Sequence, residues 1–266
     1  MEREIIRANG VDLAVSHWGD PGAPPLVLLH GIGSRAESWL PVADALGQRF
    51  RAFALDLRGH GLSAQPDAGY LLPDYAADLD AALDALALDR PLVMGHSLGA
   101  LVALTWAADA PGRASRIVAE DPPLRTRPEI VPAFEGWQRL NAAPVPDVAA
   151  WYASEFPSWT PEECLRRAEA ICSVHPGVFA ELRAEAEQNL AAGRVERIDS
   201  LAGIAAPTLV LRGDPDLGSM TAVDDAARLA GLVPGARLAE VRGAGHNLHR
   251  EQPERFVEEV VAFLTS

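Results

Sequence analysis

A four-residue apolar run, Pro91-Leu92-Val93-Met94, meets Gly95-His96-Ser97-Leu98-Gly99-Ala100, and a small-residue helical stretch follows at once. Strand, sharp turn and helix in that order are what give a Gly-x-Ser-x-Gly pattern meaning. A serine at such a turn sits in strained backbone, so the positions two residues either side must lack bulk. Gly95 and Gly99 meet that need, and Ala100 keeps the next turn slim. The turn presents the Ser97 hydroxyl beyond the sheet edge, beside a helix start whose free N–H groups favour negative charge. A glycine-rich turn before a buried helix would share this pattern, so a base, an acid and a second oxyanion donor must come from elsewhere in the chain.

The same rhythm recurs along the 266 residues. Ile5–Ala8 and Val11–Val15 flank Asn9-Gly10, the dipeptide a two-residue type I′ hairpin turn prefers. Leu26–Leu29 is a continuous apolar run of the kind found in a doubly covered strand, and it ends in His30-Gly31-Ile32-Gly33-Ser34. A helix is expected over 37–46. Ala52–Leu55 follows as a strand ending at Asp56, then an amphipathic helix over 73–88 with Asp74, Asp78, Asp80 and Asp84 on its wet side. Ile117–Ala119 ends at Glu120-Asp121, Pro207–Leu211 at Arg212-Gly213-Asp214-Pro215-Asp216, and Arg237–Val241 runs into Gly243-Ala244-Gly245-His246. Helices are expected over 221–232 and 253–264. Alternation of this kind predicts an α/β protein with a mainly parallel, doubly wound sheet behind an N-terminal hairpin.

The rhythm breaks over 122–200, which carries helical starts and no convincing strand. Thr160-Pro161-Glu162-Glu163 has a threonine cap, proline at the first helical position and glutamate three after the cap. The segment holds seven of the sixteen aromatics, Phe134, Trp137, Trp151, Tyr152, Phe156, Trp159 and Phe179. It is expected to be a helical cap inserted into a core formed by 1–121 and 201–266, with about a third of those aromatics lining a cavity and the rest its own core.

A net charge of −14 argues against nucleic acid or an anionic membrane surface as partner. No apolar run is long enough to span a bilayer, and Met1–Ile5 has no secretory signal character. Cys164 and Cys172, eight apart in an expected helix and so roughly 12 Å apart along its axis, cannot pair with each other. A reduced, cytoplasmic protein is the simplest expectation. No spacing suggests a metal site, and no cofactor is expected.

In an open parallel sheet, ligands sit beyond the carboxyl ends of the strands. The strand ends here place serine, acid and histidine on one edge in the order Ser…Asp…His, the order described for α/β-hydrolases. With His30-Gly31, Gly95-His96-Ser97-Leu98-Gly99, Gly213-x-x-Asp216 and Gly245-His246, the chain resembles that superfamily over essentially its whole length. Gly-His-Ser-Leu-Gly-Ala, with Asp56-Leu57-Arg58-Gly59-His60-Gly61-Leu62-Ser63, is similar to the esterase, lactonase and cofactor-free haloperoxidase branch. The resemblance implies Ser97 as nucleophile, His246 as base and Asp216 as acid, with Asp214 and Asp121 as alternatives for the acid. Asp214 is also suited to capping the turn before Pro215, and Asp56 to bonding the Arg58 and Ser63 backbone. The oxyanion donors are the Leu98 amide, by geometry, and the Ile32 amide, by the family pattern. His30 is expected to pin the oxyanion loop; His60 and His96 fill motif positions without evident proton work, and His249, the nearest rival to His246, is expected to lie behind it or at the surface.

The expected activity is hydrolysis of a small, apolar carboxylic ester through an acyl-enzyme. The alternatives are lactone or carbon–carbon hydrolysis on the same residues, or a ligand receptor with little turnover. The meta-cleavage carbon–carbon hydrolases typically carry asparagine at the position of His96, which weakens that option. Trp39, Trp137, Trp151 and Trp159 are the expected pocket residues, and Arg125 and Arg127 could meet a polar or anionic group. Composition does not fix the oligomeric state.

Overall fold

The computed structural model describes residues 1–157 and 159–266. Eight strands form one sheet: β1 (Glu2–Ala8), β2 (Val11–Trp18), β3 (Pro25–Leu29), β4 (Arg51–Leu55), β5 (Leu92–His96), β6 (Arg116–Glu120), β7 (Thr208–Arg212) and β8 (Arg237–Glu240). Their order is β1-β2-β4-β3-β5-β6-β7-β8. The hairpin β1–β2 and the β2–β4 pair are antiparallel, and every later pair is parallel. Asn9 and Gly10 both take positive φ, 47° and 75°, as the hairpin turn requires. The fold is thus the expected one, with the antiparallel hairpin on the edge of a parallel sheet.

Alternation along each strand divides the core between two layers. Val27 and Leu29 of β3 join the layer built by α2 (Leu72–Ala85) and α3 (Leu98–Asp109). Leu26 and Leu28 face the opposite layer, with α1 (Leu40–Gly47) and the C-terminal Pro253–Leu264 helix. Covering both faces explains why these strands read as unbroken apolar runs. The aspartates of α2 do not all face water. Asp78 is buried and accepts hydrogen bonds from Arg58 and from Asn9 (2.9 Å), which supply the polar partners that a buried carboxylate needs.

Among the described residues between β6 and β7 are the α-helices α4 (Ile130–Ala142), α5 (Val145–Glu155), α6 (Pro161–Cys172) and α7 (Pro176–Ala191). The expected capping box opens α6: Thr160 Oγ1 accepts from the Glu163 amide (3.2 Å) and Glu163 accepts from the Thr160 amide (2.8 Å). The Thr126 amide donates to the Val195 carbonyl (2.8 Å), tying the two ends of the insertion together. Cys164 and Cys172 are free thiols on α6. Among the described residues, no helix is long and apolar enough to cross a membrane. After β7 come α8 (Val223–Leu232), a short α9 (Leu248–Glu251) and α10 (Pro253–Leu264).

Candidate active site

Ser97 sits between β5 and α3 with φ 52° and ψ −112°, a backbone state that side-chain-bearing residues rarely adopt. Its amide donates to the Glu120 carbonyl at 2.9 Å, fixing the turn against β6. The flanking glycines are a steric requirement. A Cβ on Gly95 would overlap the Gly99 carbonyl, and one on Gly99 would overlap the Leu29 carbonyl. The local pattern therefore reports the backbone directly.

His246 lies on the loop after β8, and its Nδ1 is 2.7 Å from Asp121 Oδ2. Asp121, not the expected Asp216, is the carboxylate against this ring. The residue follows β6 at once, in the left-handed region (φ 42°), which turns its side chain toward the loops beyond β7 and β8. The carboxylate is fully buried yet well supplied with donors: Ser219 Oγ at 2.6 Å, the Met220 amide at 2.7 Å and the Thr221 amide at 3.1 Å. Burial by itself raises its pKa. The hydrogen bond and charge of His246, with Ser219 and the Met220 amide, more than offset this and hold it below the usual aspartate value.

Asp216 lies one residue into the short 3₁₀ turn that Pro215 opens, and it is exposed. Asp214 braces the base's loop, accepting from the Gly243 amide at 2.6 Å. His246 and Ser97 line the same cavity, and the Asp121 contact uses Nδ1, so Nε2 is the ring nitrogen left to meet a reacting group. No hydrogen bond joins Ser97 Oγ to that nitrogen among the described residues. Such contacts commonly tighten only around a bound substrate.

Two buried histidines shape the loop after β3 that carries Ile32. His30 Nδ1–H donates to the Gly31 carbonyl (2.8 Å), while its Nε2 accepts from the Leu57 amide (3.0 Å). His60 Nδ1–H donates to the Arg58 carbonyl (2.9 Å), and its Nε2 accepts from the Gly33 amide (3.2 Å). Both sets of bonds fit one neutral tautomer. Ile32 lies between the two braced residues, so its amide can serve beside that of Leu98, the first residue of α3. His60 thus has a bracing role that its motif position did not disclose. Asp56 holds the same region, but through the amides of Ala36 (2.6 Å) and Leu62 (2.9 Å) rather than the expected partners. His96 donates from Nε2 to the His246 carbonyl (2.9 Å) and packs 4.7 Å from its ring.

The strained Ser97 turn, the His246 ring and buried Asp121 thus lie beyond the carboxyl ends of β5, β6 and β8. Residues 26–259 match the Alpha/beta hydrolase family. The chain belongs to the alpha/beta hydrolase family. It is similar to 2-(acetamidomethylene)succinate hydrolase of Mesorhizobium japonicum, at 30% identity over 92% of this chain and 90% of that protein. N-formylmaleamate deformylase of Pseudomonas putida is likewise 30% identical, over 91% and 88% of the two chains. The solved structure of E-2-(acetamidomethylene)succinate hydrolase superposes with a TM-score of 0.83 at 26% identity, covering 100% of this chain and 99% of that one.

In this alpha/beta hydrolase, Ser97 lines two chambers, as do Ile32 and Trp137. The larger, about 550 Å³, is bounded by Ile32, Leu98, Leu101, Phe134, Trp137 and Met220 among others. The smaller, about 280 Å³, holds His246 and is walled by Trp137, Trp151, Tyr152, Phe156 and Trp159. Six of the seven aromatics of the insertion therefore face a cavity, more than the expected third. Trp39 does not. It is fully buried beneath the site, 4.6 Å from the His249 ring and 6.4 Å from Phe256, because the 3₁₀ turn Ala36–Trp39 points it into the core. His249 is no rival base: it is buried, with Nδ1 2.8 Å from Glu120. Arg125 and Arg127 border the larger chamber but are engaged by buried Asp225, at 2.9 and 3.4 Å. No group of three or more His, Cys, Asp or Glu able to hold a metal occurs among the described residues.

Proposed function

We propose that this hydrolase cleaves carboxylic esters through an acyl-enzyme, with Ser97 as nucleophile, His246 as base and Asp121 as the orienting acid. The observation that carries the reading is the 2.7 Å His246–Asp121 contact in a cavity shared with the strained Ser97. Serine is a weak nucleophile until a base takes its proton. Nδ1–H donation to Asp121 fixes the tautomer that offers the Nε2 lone pair to Ser97 and stabilises the imidazolium formed on attack. The carbonyl oxygen, now an alkoxide, is held by the Ile32 and Leu98 amides. His246 then protonates the departing alcohol, and water, deprotonated by the same ring, releases the acid and restores Ser97. Residues 122–200 form the lid over this centre, and Arg167 couples the two: it donates to the carbonyls of Gly33 and Ile32 (3.4 Å for the latter). The names of the two relatives, a succinate-derivative hydrolase and a deformylase, fit acyl cleavage on the same machinery.

The test is multiple-turnover release of p-nitrophenol from short acyl esters, compared with a panel of lactones, together with labelling by a fluorophosphonate. The expected result is turnover of the esters and stoichiometric label on Ser97, with loss of activity in step with labelling. Binding without turnover would favour a receptor. Label on another side chain would overturn the assignment.

A further inference from the structure

Among the described residues, thirteen of the 23 cationic side chains, all of them arginine, are in ion pairs with Asp or Glu. Two half-buried arginines in the smaller chamber, Arg167 and Arg250, are not among them. What sets these two apart is their place: both line a cavity, where burial penalises a charge that no carboxylate among the described residues pairs. Each carboxylate nearby is already engaged. Glu163 serves as the cap of α6 through Thr160 (2.8 Å), and Glu251 takes the amides of Gly245 (2.6 Å) and Asn247 (3.1 Å). Glu120 faces His249.

Arg250 is also held in place. Buried Glu120 fixes Nδ1–H of His249, so Nε2 of that ring accepts from Arg250 Nε at 3.4 Å. Its guanidinium carbon lies 5.5 Å from the centre of the Trp159 ring. Nη1 and Nη2, the pair that can grip a carboxylate in two parallel bonds, have no protein partner among the described residues. Arg167 spends hydrogen bonds on the oxyanion loop and stands against Tyr152 on the same wall. Burial, and then the charge of Arg167, lower Arg250 to a pKa of about 10, which leaves it protonated at neutral pH.

We infer that the smaller chamber binds a carboxylate of the substrate, gripped by Arg250 with support from Arg167. It sits on the leaving-group side of the scissile bond, because His246, which must protonate that group, lines this chamber and not the larger one. The inference rests on the proposed acyl-transfer reading and narrows its substrate class to esters whose alcohol portion is anionic. The apolar walls of the larger chamber then take the acyl group.

The experiment compares 4-carboxyphenyl acetate with 4-carbamoylphenyl acetate, nearly equal in size and different in charge, on wild type, Arg250→Gln and Arg250→Lys. Taking the ratio of kcat/KM for the two esters, variant against wild type, cancels their intrinsic reactivities. The ratio is expected to fall about 10- to 100-fold in Arg250→Gln, with partial recovery in Arg250→Lys. Calorimetry with 4-hydroxybenzoate, the anionic product, runs in parallel and needs no turnover. Binding to wild type that is lost in Arg250→Gln supports the site even if neither ester is hydrolysed, an outcome that would count against the ester reading alone. An unchanged ester ratio, or no 4-hydroxybenzoate binding to wild type, overturns the inference while turnover of the neutral ester leaves the hydrolase reading standing.

Discussion

Asp121→Asn is expected to lower kcat on an activated ester by about 10⁴-fold, while Asp216→Asn leaves it within about twofold, the range of an exposed, unbonded surface change. The neutral amide cannot stabilise the imidazolium that forms as Ser97 attacks. It also cannot reproduce the bonding around the carboxylate. Oδ2 accepts from the Met220 amide and Oδ1 from the Thr221 amide, so either orientation of the asparagine sets an NH₂ against a backbone N–H. Steady-state kinetics on both variants, with circular dichroism to verify folding, decides the matter. A large loss in Asp216→Asn with near-normal Asp121→Asn would restore the order of roles that the Gly213-x-x-Asp216 motif implies.

The substitution of one aspartate for another marks where a sequence stops informing. Ser97 was legible because its signal is local: the two glycines are needed by the same five-residue turn that presents the hydroxyl. The acid is a non-local choice. Asp121 and Asp216 both follow parallel strands, and what separates them is the left-handed φ of Asp121 and the outward 3₁₀ turn at Pro215. Neither conformation leaves a mark in residue type. Trp39 failed for a related reason, since an aromatic near a motif reads the same whether it faces a cavity or a core. Asp78 shows the limit of helical periodicity, which assigns a face but cannot see that Arg58 arrives from another loop to pair with it. The strands fared better, because runs such as Leu26–Leu29 owe their composition to burial on both sides. The bracing of the loop around Ile32 by His30 and His60 depends on which ring nitrogen meets which backbone group, and residue type does not record that.

Those two histidines also predict acid sensitivity well above the range where carboxylates titrate. Burial is the main cause in both: it lowers His30 to a pKa of about 4 and His60 to about 3, the latter helped by the charge of His30. In the unfolded chain each takes a proton near its ordinary value of 6.5. Above pH 6.5 both states are neutral and nothing is lost. As pH falls below 6.5 the unfolded state binds protons that the native state refuses, so stability declines until the folded pKa is reached. From pH 6.5 to 5 this amounts to about 2 kcal/mol per histidine, or roughly 4 kcal/mol for the pair. That is a large part of the 5–15 kcal/mol typical of a domain. Protonating one ring does not relieve the loss, since the centres are 5.0 Å apart and a first charge opposes a second. Buried His96 is held well below its ordinary value for the same reason and adds to the fall, so urea unfolding at intervals from pH 8 to 5 should show a plateau above pH 7 and a steepening fall below 6.5, with His60→Gln reducing the slope by about a third. The window lies above the range in which Asp121 and Glu163, both held below their ordinary values, begin to contribute their own acid loss. A midpoint independent of pH down to 5 would mean that the oxyanion loop opens and protonates its histidines without unfolding the domain.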